Sequence, residues 1–150
     1  MLRSLLFVFL IVMASAAHAE RLQKCPVDKA NQADVAEAVT AAPSCAQSYE
    51  VMNVCRSNSS SDVALANIVV QKCEQVFAST LEPPALKVYE AARESCTRRF
   101  RHQDGTVSLS YAATCEAGVA VVFAHRADLA AMKPRRDPRK PPYGDLSPVQ

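Results

Sequence analysis

The sequence predicts an all-α fold: a small helical bundle of about five helices, stapled by disulfides and followed by a basic, disordered C-terminal tail. Three observations predict it. Glycine occurs only three times and tryptophan not at all, while alanine is abundant, which argues against a turn-rich β domain. Six cysteines lie behind an N-terminal export signal, and an even count in an exported chain reads as a disulfide framework. Between these cysteines, apolar residues recur at steps of three and four, the spacing of an amphipathic helix.

The signal is expected over residues 1–19. Arg3 supplies its positive start, Leu5–Met13 its apolar stretch, and Ala17-His18-Ala19 its small-residue cleavage site. A membrane anchor needs about 20 apolar residues, more than this run contains. No second long apolar stretch is expected to follow. The mature chain then has no transmembrane segment and is a soluble periplasmic or secreted protein. Residues 20–132 form one domain of a size that can bury a core. They carry 11 Lys/Arg against 13 Asp/Glu, a net charge of −2. Residues 133–150 carry five Lys/Arg against two Asp, a net +3, together with five prolines and almost no large apolar side chains. That composition cannot pack a core and is expected to be disordered. Its basic charge allows attachment to an anionic surface. Nucleic acid is not an expected partner of an exported chain.

The elements follow in order. Residues 20–30 form a polar lead-in pinned by Cys25. Asn31, with Asp34 three residues on, caps a helix that runs to about Thr40 and stops before Pro43. Ser44 and Gln47 cap a second helix through Tyr49, Met52 and Cys55. Arg56–Ser60 breaks it; Asn58-Ser59-Ser60 is also a glycosylation sequon, which in a bacterial chain stays a bare polar loop. Ser61 or Asp62 caps a third helix with Leu65, Ile68, Val69, Cys73, Val76 and Phe77 along one face, and Pro83-Pro84 ends it. A fourth helix runs from Ala85 to about His102, with Leu86, Tyr89, Ala92, Cys96 and Phe100 as its stripe. Arg98, Arg99, Arg101 and His102 crowd its end, where cations complement the helix dipole. After a turn at Gln103–Thr106, a fifth helix starts at Ser108 or Ser110, buries Tyr111, Cys115, Val119, Val122 and Leu129, and fades at Met132. Gly118 inside it points to close helix packing.

Six cysteines allow fifteen pairings. Cys96 lies eight residues before Asp104 and Cys115 ten after Gly105, so an antiparallel hairpin brings them level. Cys45 and Cys73 are each fourteen residues from Ser59, a second level match that leaves Cys25 with Cys55. Cys45 and Cys55 on one unbroken helix would stand ~15 Å apart, too far to bond.

Catalytic and metal signatures are sparse. The shortest gap between cysteines holds nine residues, so no C-x-x-C zinc or haem motif occurs, and neither does H-E-x-x-H, a glycine-rich phosphate loop or a Ca²⁺ loop. No metal or cofactor is expected. His102 and His125 have no neighbouring nucleophile in sequence, and Glu90 and Glu94 sit four apart among Lys87, Arg93 and Arg98 as helix ion-pair partners. The chain is therefore not expected to be an enzyme; a solvent-facing pocket with His102 or His125 beside a carboxylate would argue otherwise.

Several residues form a further pattern. Cys45 is followed by Tyr49-Glu50-Val51-Met52-Asn53-Val54-Cys55, and Asp62 by Leu65. Tyr89 and Arg93 precede Cys96; Asp104-Gly105-Thr106 makes a turn before Cys115; Arg126 and Leu129 close the pattern. Over about residues 45–129 this resembles the LprI-like family, the lysozyme-inhibitor LprI N-terminal region. Ala66 stands where that family usually has Asn, Arg93 lies one residue nearer its cysteine, and Arg126 falls about one turn late. The resemblance implies a small helical periplasmic or secreted protein that binds a partner, a lysozyme or another envelope protein. It marks Glu50, Asn53, Asp62, Tyr89, Arg93, Asp104, Gly105 and Arg126 as binding or motif residues. It also implies a Cys25–Cys73 bond, because those two cysteines are additional to the family's four.

Overall fold

A computed structural model describes residues 24–103 and 105–132. The signal expected at 1–19, the tail expected at 133–150 and Asp104 lie outside the described residues. The rest is all-α: α1 (Gln32–Ala41), α2 (Cys45–Cys55), α3 (Ser61–Phe77), a 3₁₀ turn (Ala78–Thr80), α4 (Pro83–Phe100) and α5 (Thr106–Met132).

The first two helices start where local chemistry says they should. Asn31 Oδ1 accepts from the backbone N–H groups of Ala33 and Asp34. Ser44 Oγ accepts from Gln47 N at 3.2 Å, and its hydroxyl donates to the Gln47 side chain at 2.9 Å. Each bond from a backbone N–H satisfies a donor that the first helical turn leaves unpaired. The other end of α1 is finished from a distance: Lys72 Nζ on α3 donates to the carbonyls of Thr40, at 2.6 Å, and Ala42. Ser48, fully buried, ties α2 to α1 by donating to Val39 O at 2.8 Å.

Three expected boundaries are corrected. Neither Ser61 nor Asp62 caps α3; Ser60 holds that position without a side-chain hydrogen bond. Pro83-Pro84 do not end α3, which stops at Phe77; they open α4, where proline's missing N–H and fixed φ fit the first turn. The fifth helix begins at Thr106, straight after Gly105, whose φ of +86° turns the chain where an L side chain would be strained.

Helix α3 is the spine. It packs along α5 and also against α1 and α2, while α4 packs on α5. The core joins Val35 and Val39 of α1, Met52 of α2, Leu65, Val69, Val70 and Phe77 of α3, and Tyr89 of α4. Phe77, Tyr89 and Phe123 meet at one end of it, with centroids 5.0–5.8 Å apart.

The largest correction concerns α5. Its buried face is not the expected Tyr111–Val122–Leu129 stripe but Ser110, Thr114, Ala117, Ala120 and Ala124. These small residues let α5 approach α3 closely, and the bulk of Leu65, Val69, Val70 and Phe77 fills the space between. Tyr111, Val122 and Leu129 stay exposed. The expectation of no further long apolar stretch is corrected as well. By length and composition α5 is long and apolar enough to cross a membrane, and 39% of its most apolar window is buried against the other helices.

The disulfides are Cys25–Cys55, Cys45–Cys73 and Cys96–Cys115, with Cα–Cα distances of 4.7, 4.8 and 5.7 Å. The hairpin bond and the level match are formed. The Cys25–Cys73 bond that the family resemblance implied is not, because Cys45 opens α2 opposite the last turns of α3 and takes Cys73 itself. Three disulfides fit an oxidising, extracytoplasmic compartment.

Candidate functional site

The motif residues separate into two groups, those consumed in holding helices together and those facing solvent. Asp62 belongs to the first. Its carboxylate is fully buried at the start of α3. Oδ1 accepts from Ser57 N at 2.9 Å and Ser57 Oγ at 3.3 Å; Oδ2 accepts from Ser59 N at 3.3 Å and from the buried Ser110 hydroxyl of α5 at 2.6 Å. Asp62 thus pins the α2–α3 loop to α5. That loop needs pinning, since Asn58 sits in left-handed backbone at φ +57°, a conformation Asn tolerates better than most residues.

Tyr89 and Arg93 also look inward. The Tyr89 hydroxyl donates to Glu74 Oε1 at 2.7 Å. Arg93 bridges two helices, reaching Glu74 of α3 at 3.2 Å and Glu116 of α5 at 3.1 Å. Thr97 donates to the other Glu116 oxygen at 2.9 Å. Burial, and then the hydrogen bond to Glu74, push the Tyr89 phenol well above its ordinary range. Burial alone would lower the Arg93 pKa, but the Glu116 hydrogen bond and the surrounding negative charge raise it. Arg93 Nε is buried without a partner among the described residues.

Sequence reasoning missed Glu74, Glu116, Ser110, Ser57, Ser59 and Lys72. One signal was available for Glu116. It follows Cys115 directly, and the Cys96–Cys115 bond sets it against Arg93 and Thr97, one turn before and one residue after Cys96. Ser57 and Ser59 lie only five and three residues before Asp62, whereas Glu74, Ser110 and Lys72 are distant in sequence from the groups they bind and leave no local trace.

Three of the remaining described motif residues, on α2 and α5, make no hydrogen bond or ion pair to another helix among the described residues. Asn53 is exposed and Glu50 half-buried on α2. Arg126 lies over the Phe123 ring of its own helix at 5.8 Å and bridges no other helix among the described residues. The basic end of α4 is locally engaged: Arg98 pairs with Glu94 at 3.0 Å, Arg99 lies over Phe100, and Arg101 Nε donates to His102 Nε2 at 3.0 Å.

Three concavities border α5 among the described residues, the smallest, of about 170 Å³, lying beside Leu109 and Glu116. A cleft of about 540 Å³ lies between the α1–α2 junction, α3 and α5, with Ser44, Lys72, Gln75, His125 and Asp128 on its wall. It holds a histidine and a carboxylate, His125 and Asp128, three residues apart on α5. No hydrogen bond joins His125 to Asp128 among the described residues, and the Ser44 hydroxyl donates to Gln47. The cleft therefore lacks an assembled nucleophile–base pair. On another side of α5, a groove of about 410 Å³ is lined by Val88 and Ala92 of α4 and by Gly118, Val119, Val122, Phe123 and Arg126. It opens onto the exposed apolar side chains of α5. Among the described residues no group of His, Cys, Asp and Glu is placed to hold a metal ion.

Compared with family models, curated proteins and solved structures, the chain finds no match.

Proposed function

We propose that this protein is an exported, disulfide-stapled binding module that works by protein–protein contact and performs no catalysis. The observation that carries this reading is the outward apolar surface of α4 and α5: Val88 is 60% exposed, Val122 49% and Leu129 47%. Apolar side chains gathered beside a groove, with Arg126 at the rim, have the make-up of a contact surface. The polar motif residues Asp62, Tyr89 and Arg93 meanwhile serve the fold that presents it.

The resemblance to the LprI-like family supplies a specific partner, a lysozyme. Lysozymes are usually basic, so a body of net −2 adds only weak steering, and the apolar surface has to carry the affinity. Titrating the oxidised protein into a lysozyme turbidity assay tests this. Loss of lysis at micromolar inhibitor, relieved by Val122→Arg, supports the reading. Full lysis at a large molar excess removes lysozyme as the partner.

A second reading rests on the charge of residues 133–150, five Lys/Arg against two Asp. It makes the protein a cell-envelope adaptor attached to an anionic surface, in the periplasm or outside the cell. Deleting 133–150 should release it from envelope fractions; unchanged retention would argue against the adaptor role. The His125–Asp128 cleft sets a test for an enzyme: a hydrolytic activity lost on His125→Ala would overturn the non-catalytic reading.

A further inference from the structure

Four arginines collect at one end of the bundle. Arg98, Arg99 and Arg101 stand at the end of α4, and Arg56 directly follows α2. The first turns of α5 bring these two helix ends together. Arg56 lies over the Tyr111 ring at 5.8 Å, Tyr111 meets Phe100 with centroids 5.8 Å apart, and Arg99 lies over Phe100 at 5.9 Å. A cation, two rings and a second cation thus form a row across α2, α5 and α4. Neither Arg56 nor Arg99 makes a side-chain hydrogen bond or ion pair among the described residues. Contact with a ring holds a guanidinium in place and leaves its fork of N–H donors free for an oxyanion.

Little negative charge opposes this end. Residues 95–111 contain one acidic residue, Asp104, and residues 55–61 contain none. Asp62 follows, but its carboxylate is fully buried and taken up by the α2–α3 loop and Ser110. Outside residues 55–62 and 95–111, residues 20–132 carry seven Lys/Arg against eleven Asp/Glu. Charge is therefore divided between one end of the bundle and the rest, a field that turns the arginine end towards a negative surface. Apolar side chains accompany the arginines. Val107, at the second position of α5, is 42% exposed, and Leu109 is 51% exposed.

We infer that this end of the bundle docks on an anionic phospholipid surface. The arginines hold lipid phosphates, and Val107 and Leu109 enter the headgroup layer. Cations and apolar side chains side by side are what such an interfacial contact requires. An acidic protein fits less well. None of the three concavities bordering α5 takes in Arg56, Arg98, Arg99 or Arg101. A protein partner seats its anchor residues in pockets, whereas lipid phosphates rearrange around the cations they meet. The contact is separate from the basic residues 133–150, which follow Met132 at the other end of α5, ~40 Å from Thr106.

Co-sedimentation of the oxidised full chain with vesicles is the test, using equimolar phosphatidylglycerol and phosphatidylcholine beside phosphatidylcholine alone. The protein should bind the first and not the second, and added salt should release it. Arg56→Gln and Arg99→Gln should each weaken binding about fivefold, the effect of one cation near an anionic surface, and the double variant about 25-fold. Lys87→Gln removes the same charge from an exposed position near the start of α4 and should leave binding unchanged. Circular dichroism confirms that the variants remain folded. The chain has no tryptophan, so Val107→Trp supplies a single reporter. Its emission should shift to the blue on anionic vesicles, while that of Lys87→Trp should not. Absence of binding, equal binding to phosphatidylcholine, or binding that survives the double arginine change overturns the proposal. So does bound protein whose Val107→Trp emission stays that of water, which would leave attachment to residues 133–150 alone. Capture of polyglutamate but not of vesicles, through the same arginines, would make an acidic protein the partner and sink the membrane contact.

Discussion

Replacing Asp62 with alanine should be among the most destabilising single changes in this domain. The carboxylate is 0% exposed and accepts four hydrogen bonds at 2.6–3.3 Å. Alanine leaves the buried Ser110 hydroxyl without its partner, at ~1–3 kcal/mol for an orphaned buried group. The N–H groups of Ser57 and Ser59 sit nearer solvent and recover water, so each adds only ~0.5–1 kcal/mol. Ser57 Oγ loses little, because it keeps contacts with Ser59 Oγ at 2.8 Å and Ser61 Oγ at 3.0 Å. The total is ~3 kcal/mol, a Tm drop of roughly 12–24 °C at ~4–8 °C per kcal/mol. Asp62→Asn should cost less, because the amide oxygen still accepts from the loop and the Ser110 hydroxyl can rotate to accept from the amide nitrogen. Urea unfolding of the oxidised protein followed by circular dichroism is the assay, since the chain has no tryptophan to report by fluorescence. A double-mutant cycle with Ser110→Ala should give a coupling of ~1–2 kcal/mol. An Asp62→Ala cost below ~1 kcal/mol, or additivity with Ser110→Ala within ~0.5 kcal/mol, would refute the idea that this carboxylate clamps the loop to α5.

Removing the Cys45–Cys73 bond by paired serine substitution should cost ~3–4 kcal/mol from the 28-residue loop it closes, measured by denaturant titration against wild type. Non-reducing peptide mapping should recover Cys25 with Cys55 and never with Cys73. Arg93→Ala should cost ~1–2 kcal/mol, and Arg93→Lys should not restore it, because an ammonium cannot span Glu74 and Glu116 as the forked guanidinium does. The raised Tyr89 pKa works against stability at high pH: the unfolded phenol ionises near pH 10 while the folded one keeps its proton. Stability should accordingly fall as pH rises above about 10, and Tyr89→Phe should flatten that fall. Gly118→Ala should be neutral or stabilising by up to ~1 kcal/mol, because its Cβ would stand 3.4 Å from the end of the Tyr49 side chain, which can give way.

What the sequence makes legible is local. Asn31, Ser44 and Gln47 announce two helix starts because a cap is a bond between residues two or three apart. Cys96 and Cys115 announce their bond because they stand eight residues before Asp104 and ten after Gly105, on the two arms of one hairpin. Proline is ambiguous at this level, since Pro83 can close one helix or open the next, and only the packing of α3 decides. Solvent exposure of α5 is harder still. Its large apolar residues make the conspicuous stripe, and the rule that bulk goes inside selects the wrong face. Helix α3 brings bulk of its own, so the partner it accepts is the alanine stripe, and this complementarity of volumes is a property of two helices together. The same holds for Arg93 and for the bond between Asp62 and Ser110: the motif positions were visible, but these partners lie 19 to 48 residues away and meet them only once α3, α4 and α5 pack. Caps, turns and one disulfide are encoded in short stretches of chain. Which face is buried, which cysteines meet and which charges pair are settled where helices distant in sequence come within contact, and that arrangement leaves Val122 and Leu129 of α5 exposed.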